Sequence, residues 1–354
     1  MRFKIIINSI IFIFIVIFTL MFLSYIVTLS LSKEEQFLVQ SLYNHDKDSF
    51  DIIFVGPSTS LTSWNTFVAW KKHGITSLNY SFPSLQRPAV KYLIKNILKE
   101  QKPKILIIEA DMLLSSLDSI KYKFFLNNTF PYIPFSFNKI LMGISSYRSF
   151  NLSFKRMLEI FFPIILYHDF YNEINIKNLI NKRKINDYFV TKYPYYYTNK
   201  EWGLEHEYKV SFATDIKNLE ESGLLDFFKT IKDVNIVFCN IPNTEYFSDI
   251  ADFSVKSKLL EKTISLIKNN NIDFINLNNE SMIKEMNLSV ADFCNEEHMN
   301  YWGASKYTDY LTKILADKYK LKDKRKDPKY SFWDSWADKY VDDIKRSFNV
   351  DIFY

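Results

Sequence analysis

Glycine and cysteine are both scarce in this sequence. Glycine occurs 6 times in 354 residues, which argues against a glycine-rich nucleotide-binding fold. Two cysteines, Cys239 and Cys294, exclude a dense disulfide framework and a CxxC metal site. One bridge between them is geometrically possible, but Cys239 lies in an apolar run typical of a buried strand, so we expect two free thiols. The histidines His45, His73 and His206 have no metal-ligand spacing. We expect no cofactor and no metal.

The chain has no strong excess of one charge. Lysine and arginine number 45 and aspartate and glutamate 40, which gives a net charge of +5. This balance is too mild and too evenly spread to indicate a nucleic-acid partner.

One long apolar run stands at the N-terminus. Ile5 to Leu31 carries no charged residue, and about 20 such residues span a bilayer. Arg2 and Lys4 precede the run, and the positive-inside rule then places the N-terminus in the cytoplasm and the rest outside. A cleaved signal peptide is the alternative, but the run is long and no small-x-small site follows it. We predict an uncleaved single-pass anchor over residues 1–32, hence a cell-membrane protein with an extracytoplasmic domain.

Short apolar segments alternate with amphipathic ones after a polar linker at residues 33–50. The predicted strands are Asp51–Val55, Ile75–Tyr80, Lys104–Ala110, Val234–Ile241 and Ile272–Leu277. The predicted helices are Gln86–Gln101, Ile216–Ile231, Phe253–Asn269 and Ala304–Tyr319. This alternation predicts an α/β domain over residues 51–320, with a three-layer, flavodoxin-like parallel sheet. Residues 321–354 have the spacing of an amphipathic helix. We expect this tail to pack on the domain; contact with the membrane surface or with a partner is the alternative.

Residues 115–210 interrupt the alternation between the third and fourth strands. An insertion of this size indicates a helical cap or lid over a site at the sheet edge. A surface elaboration without function is the alternative.

Two separated segments have the residues for nucleophilic catalysis. In Gly56-Pro57-Ser58, a buried strand runs into a turn that exposes a serine. His298 lies in a polar loop just before the last predicted helix. A serine becomes a nucleophile when a base removes its proton, and histidine is suited to that task at neutral pH. Taken singly, Ser58 could equally cap a helix and His298 could be an exposed loop histidine.

Together these segments resemble the SGNH/GDSL hydrolase superfamily, in which a Gly-x-Ser nucleophile follows the first strand. The superfamily's base lies near the C-terminus in an Asp-x-x-His block that often continues into Asn-x-x-Gly. The sequence from His298 to Gly303 resembles that continuation, displaced by one residue. The layout is similar to the membrane-anchored DltD-like and AlgJ-like branch. This resemblance implies Ser58 as nucleophile and His298 as base.

The resemblance has three departures. Asn295 stands where an aspartate is expected three residues before His298, so Asp292 and Asn295 are equal candidates to orient the histidine, with Glu296 and Glu297 behind them. The family's oxyanion glycine is absent near Ser81 and Ser84, whose backbone N–H groups are the candidate donors. Its oxyanion asparagine is replaced by Glu109, Ala110 and Asp111. Thr59, Asp111 and His168 complete the candidate oxyanion and substrate residues.

The activity implied is a serine esterase or O-acyltransferase that acts on acyl groups of a cell-surface polysaccharide or teichoic-acid-like polymer. The implied partners are the membrane, the acylated polymer or acyl donor, and a membrane-bound O-acyltransferase. Two alternatives remain: a non-catalytic binding or assembly subunit with the same fold, and a lipase on the extracytoplasmic side.

Overall fold

The computed structural model describes residues 2–30, 34–114, 117–165, 222–242, 272–295 and 297–348, together with 262 and 265. The helix expected at Phe253–Asn269 and the residue His168 lie outside these ranges, apart from residues 262 and 265, which are helical.

Five parallel strands form one sheet in the order β2-β1-β3-β4-β5. Their bounds are β1 Ile52–Val55, β2 Ser77–Asn79, β3 Ile105–Glu109, β4 Asn235–Cys239 and β5 Asp273–Ile275. All five predicted strands are therefore confirmed, each a little shorter than the apolar run that predicted it. This strand order is that of a doubly wound, flavodoxin-like sheet, whose chemistry collects beyond the carboxyl ends of the strands.

Helices cover both faces of the sheet. Along β1, Ile53 and Val55 pack into one apolar cluster and Ile52 and Phe54 into another, as the two-residue period of a strand requires. The described helices are α1 Arg2–Ser30, α2 Glu34–Ser41, α3 Ser58–Ser63, α4 Thr66–His73, α5 Arg87–Glu100, α6 Ala110–Leu114, α7 Ser119–Asn128, α8 Phe137–Ser149, α9 Phe154–Phe161, α10 Leu224–Lys229, α11 Glu280–Glu285, α12 Tyr301–Tyr319 and α13 Phe332–Phe348. Helices α5 and α10 lie on the first face, and α11 and α12 lie on the second.

The N-terminal apolar run is a single helix, α1. Its stretch Phe3–Ser30, 28 residues, is long and apolar enough to cross a membrane. Its last turns are covered by protein, because Ser24, Thr28 and Ser30 are buried.

The segment interpreted as a polar linker, residues 33–50, needs correction. It contains α2, and Val39, Leu42 and Phe50 are buried in the first core cluster. These apolar side chains are few, one within α2 and two in the residues that follow it, but all three enter the core. The segment therefore packs on the domain and does not act as a free tether.

The described part of the insertion packs on α5 and on α1. A 3₁₀ turn at Phe130–Tyr132 joins α7 to α8, and a second one at Pro163–Ile165 follows α9. Helix α8 packs on α5, and both turns pack on α1. Among the described residues the insertion therefore thickens one face of the sheet. The lid predicted over the site stays a prediction, because residues 166–221 lie outside the described ranges.

The amphipathic helix predicted in the tail is confirmed as α13. It packs on α4 through Trp333, which is 1% exposed and lies 5.7 Å from the ring of Trp70. Tyr340 on the same face accepts a hydrogen bond from Asn65 Nδ2 at 2.8 Å.

We expect Trp333→Ala to lower the free energy of unfolding by about 3–5 kcal/mol, because the substitution leaves a cavity in the core. The neighbouring Phe332 is 41% exposed, so Phe332→Ala is the matched control and should cost roughly 1 kcal/mol or less. Urea unfolding of the detergent-solubilised chain measures both changes. Equal losses in the two variants would contradict this packing of α13.

Candidate active site

The turn after β1 requires a glycine. A Cβ atom on Gly56 would lie 2.7 Å from Ser60 Cβ and 3.1 Å from Glu109 Cβ. The absent side chain lets α3 start directly beneath the end of β3. The first helical residue of α3 is Ser58, which is partly exposed at the carboxyl edge of the sheet.

The imidazole of His298 meets the hydroxyl of Ser58. The distance from His298 Nε2 to Ser58 Oγ is 2.8 Å, across 240 residues of sequence. Both side chains are partly exposed, so a substrate can reach them. The contact expected from the two motifs is present.

Asn295 sets the tautomer of His298. Its Oδ1 lies 2.9 Å from His298 Nδ1 and accepts the backbone N–H groups of Glu297 at 3.0 Å and His298 at 2.9 Å. Because backbone N–H groups only donate, the atom they meet must be the amide oxygen. That oxygen requires a proton on Nδ1, which leaves Nε2 free to accept the proton of Ser58.

The loop that carries His298 is closed at its base. Phe293 and Met299 form an antiparallel bridge, and Cys294 N donates to His298 O at 2.8 Å. Asn300 then caps α12, since its Oδ1 accepts from the backbone N–H groups of Trp302 and Gly303. The histidine is thus held between a closed loop and the start of a helix.

The expectation that Asp292 is an equal candidate to orient His298 needs correction. Asp292 is buried, and its Oδ2 accepts from Ser289 N at 2.8 Å and Lys306 Nζ at 2.9 Å. Its role is to cap a 3₁₀ turn through the Ser289-x-x-Asp292 capping box. Asn295, by contrast, contacts the ring of His298 directly.

Glu109 anchors the nucleophile helix, a role that sequence reasoning missed. Its Oε1 accepts from Thr59 Oγ at 2.7 Å, and its Oε2 accepts from Ser60 Oγ at 3.1 Å. Glu109 is 2% exposed, so these bonds satisfy a buried carboxyl group. The hydroxyl of Thr59, a candidate substrate contact, is therefore engaged in fixing α3.

Thr308 joins the serine half of the site to the histidine half. Its Oγ1 accepts from Asn65 N at 2.8 Å and donates to Ser63 O at 3.1 Å. Asn65 follows α3 and Thr308 lies in α12, so one buried hydroxyl fixes the two helices against each other.

The other candidate residues are less closely connected to Ser58. Ser81 is buried, and its hydroxyl donates to Phe54 O at 3.4 Å. Ser84 adopts a left-handed backbone with φ of 58° in the loop after β2. Asp111 lies in α6, directly after β3. In the described part of the chain, no hydrogen bond joins Ser81 or Ser84 to Ser58. His168 lies outside that part.

Cys294 is the other nucleophilic side chain near His298. Its Sγ donates to His298 O at 3.2 Å, and burial raises the pKa of the Cys294 thiol to about 11. A thiol with that pKa is almost entirely protonated at neutral pH. Cys239 is also buried, and neither cysteine forms a disulfide, so the expectation of two reduced thiols is confirmed.

Comparisons with known proteins supply little. No protein-family model matches the chain, and no curated protein matches it. A solved structure described as "BT4096 a gut microbial diltiazem-metabolizing enzyme" is similar with a TM-score of 0.37 and 11% sequence identity. The match covers 76% of this chain and 48% of the other, so this chain spans about half the length of that structure. At that TM-score the likeness carries no argument about function.

We expect Gly56→Ala to lower the free energy of unfolding by about 1–3 kcal/mol, because the new methyl group overlaps Ser60. Ser60→Gly removes the overlapping side chain. In a double-mutant cycle, Gly56→Ala should therefore cost less in the Ser60→Gly background than in the wild-type chain. If the losses in free energy of unfolding were strictly additive, the Ser60 side chain would not be the group that a methyl at position 56 overlaps.

Proposed function

We propose that this chain is a membrane-anchored, extracytoplasmic serine esterase or O-acyltransferase of the SGNH/GDSL type. Ser58 is the nucleophile, His298 the general base and Asn295 the residue that orients it. The substrates are acyl groups on a cell-surface polymer, or an acyl donor that supplies them.

The observation that carries this proposal is the directed chain of hydrogen bonds from Asn295 through His298 to Ser58. A serine, a base within hydrogen-bond reach and a third group orienting the base are the arrangement that nucleophilic catalysis needs. The distances are 2.9 Å and 2.8 Å, and backbone donors fix the direction of the first bond. The fold supports the same proposal, because the two side chains meet beyond the carboxyl end of β1.

The chemistry follows from this direction. Ser58 Oγ attacks the ester carbonyl carbon while its proton passes to His298 Nε2. The tetrahedral intermediate collapses, the imidazolium returns the proton to the departing alcohol, and an acyl-serine remains. Water or a hydroxyl of the acceptor then attacks the acyl-serine with His298 again as base. The second nucleophile decides between hydrolysis and transfer.

The start of α3 supplies donors for the oxyanion. The first N–H groups of a helix have no acceptor within the helix. Here the N-cap is Pro57, and it makes no side-chain capping bond. The N–H groups that follow Ser58 are therefore the candidate oxyanion donors, in place of the family's glycine and asparagine.

The anchor gives the reaction its location. Helix α1 is long and apolar enough to span a bilayer, and Arg2 and Lys4 precede it. By the positive-inside rule the site then faces the extracytoplasmic side, where surface polymers lie. The proposed partner is a membrane-bound O-acyltransferase that delivers acyl groups across the membrane.

We expect a fluorophosphonate probe to label the detergent-solubilised full chain and not the Ser58→Ala variant. The probe reacts with serines activated by a base, and Ser58 contacts His298. Ser63→Ala is the matched control, because Ser63 lies in the same helix and its hydroxyl donates to Thr59 O at 2.6 Å. Gel fluorescence and release of p-nitrophenol from p-nitrophenyl acetate measure the two activities.

The controls separate the alternatives. If the Ser58→Ala variant still reacted with the probe, Ser58 would not be the nucleophile. No label and no turnover in the folded wild-type chain would favour the non-catalytic binding subunit. A marked preference for long-chain lipid esters over acetylated polysaccharide would favour the lipase.

We expect Asn295→Asp to move the acidic limb of the pH–rate profile to higher pH by roughly one unit, because a carboxylate stabilises the imidazolium. The base is then protonated up to a higher pH, so activity at low pH falls. Aspartate has the same shape and still accepts the two backbone N–H bonds, so the fold should be retained. Initial rates on p-nitrophenyl acetate across the pH range measure the shift. An unmoved limb would mean that Asn295 does not orient the working base.

A further inference from the structure

Large apolar side chains are exposed on the insertion, beside the end of α1. Phe135 is 58% exposed, Phe137 73%, and Ile165 41%. Soluble proteins seldom leave such side chains in water at neighbouring positions. They indicate a surface that contacts something apolar.

This surface is continuous with the membrane helix. Phe135 lines the same groove as Met21, Tyr25 and Thr28 of α1. The turn that contains Ile165 packs on α1, where Ile164 N donates to Ser24 Oγ at 3.4 Å. The exposed apolar face of α1 therefore passes directly onto the insertion.

The length of α1 indicates the depth in the bilayer at which the insertion meets this helix. Its 28-residue apolar stretch rises about 1.5 Å per residue, which exceeds the hydrocarbon core of about 30 Å. If the core begins after Lys4, about 20 residues bring the chain to its far boundary near Ser24. The groove and Phe135 lie at that boundary.

Charge on the insertion matches the same environment. Residues 119–165 contain six basic residues and one acidic residue, Glu159. The basic residues are Lys121, Lys123, Lys139, Arg148, Lys155 and Arg156. Lys139 is bonded to backbone carbonyls and Arg156 is paired with Glu159, so the exposed charge among the described side chains comes from Lys123, Arg148 and Lys155. Exposed aromatic side chains among basic ones are typical of segments that lie in the interface of a bilayer with anionic lipids.

The loop that presents Phe135 is held rigidly. Lys139 Nζ donates to Pro131 O at 3.0 Å and to Ile133 O at 2.6 Å, which closes the turn before Phe135. Phe135 follows this closed turn with its side chain exposed.

We propose that the insertion, helices α7 to α9, is a bilayer-docking platform, with Phe135 and Phe137 in the interfacial region of the leaflet on the side of the domain. Its occupant is the lipid around the protein's own anchor, rich in anionic headgroups. The proposal rests on α1 as a membrane anchor and not on the esterase chemistry.

Site-directed fluorescence on the full chain in nanodiscs of phosphatidylcholine and phosphatidylglycerol tests this proposal. An environment-sensitive label is attached to Phe135→Cys or Phe137→Cys and exposed in turn to a nitroxide lipid and to a water-soluble quencher. Phe12→Cys, in the middle of α1, reports the bilayer. Ser281→Cys on α11 reports water, because α11 packs on the opposite sheet face from α5. The wild-type chain, whose two thiols are buried, is the blank.

We expect the labels at 135 and 137 to respond to the nitroxide lipid severalfold more than the label at 281 does. Labels at 135 and 137 that respond only to the aqueous quencher, while the label at 12 responds to lipid, would overturn the platform and leave the anchor intact. Such a result would assign the face to a protein partner or a second copy. An unchanged thermal transition in each labelled variant confirms that the fold is retained.

Discussion

A buried threonine, Thr308, holds the two halves of the candidate site together. The serine comes from the first strand and the histidine from a loop 240 residues later, so no local interaction can bring them into contact. The hydroxyl of Thr308 bonds to the backbone on both sides of Trp64, at the end of the nucleophile helix, and is itself carried by the helix that follows the histidine loop. Shifting the two helices would leave these buried polar groups without partners, which favours one relative position. The 2.8 Å contact between Ser58 and His298 depends on that position.

An amide, that of Asn295, stands beside His298 where the resemblance predicts a carboxylate. The buried carboxylate of the site, that of Glu109, bonds to the nucleophile helix instead. Asn295 fixes the neutral tautomer of His298 but brings no charge to stabilise the imidazolium. Both carboxylate oxygens of Glu109 accept hydrogen bonds from hydroxyls of the nucleophile helix. Several hydrogen bonds thus orient Ser58 and His298, whereas, among the described residues, no carboxylate contacts the imidazole ring to stabilise its protonated form.

The sequence predicted the sheet well because its strands are continuous apolar runs, which are buried on both faces in a parallel sheet. The pairing of Ser58 with His298 was predictable only through a resemblance that rests on their order and neighbours. The prediction that Asp292 orients His298 was wrong, and the Ser289-x-x-Asp292 spacing already indicates its actual role in a capping box. Thr308 and Glu109 carry no local signal, since their partners are distant in sequence. Residues 33–50 were interpreted as a linker because polar residues outnumber the few apolar ones, Val39 and Leu42 among them, that enter the core.

The contacts of the insertion connect the proposed platform to the active site. Helix α8 packs along α5, and α5 begins in the loop after β2. In that loop Phe82 N donates to Gly56 O at 3.0 Å, beside the nucleophile turn. Gln86, at the start of α5, exchanges two hydrogen bonds with Asp118 at the start of the insertion, at 2.8 Å and 2.9 Å. A platform resting on lipid would therefore hold Ser58 at a set height and orientation above the bilayer. Because the end of α1 already packs on the domain, the platform would add a second contact with the leaflet, which limits tilting of anchor and domain together.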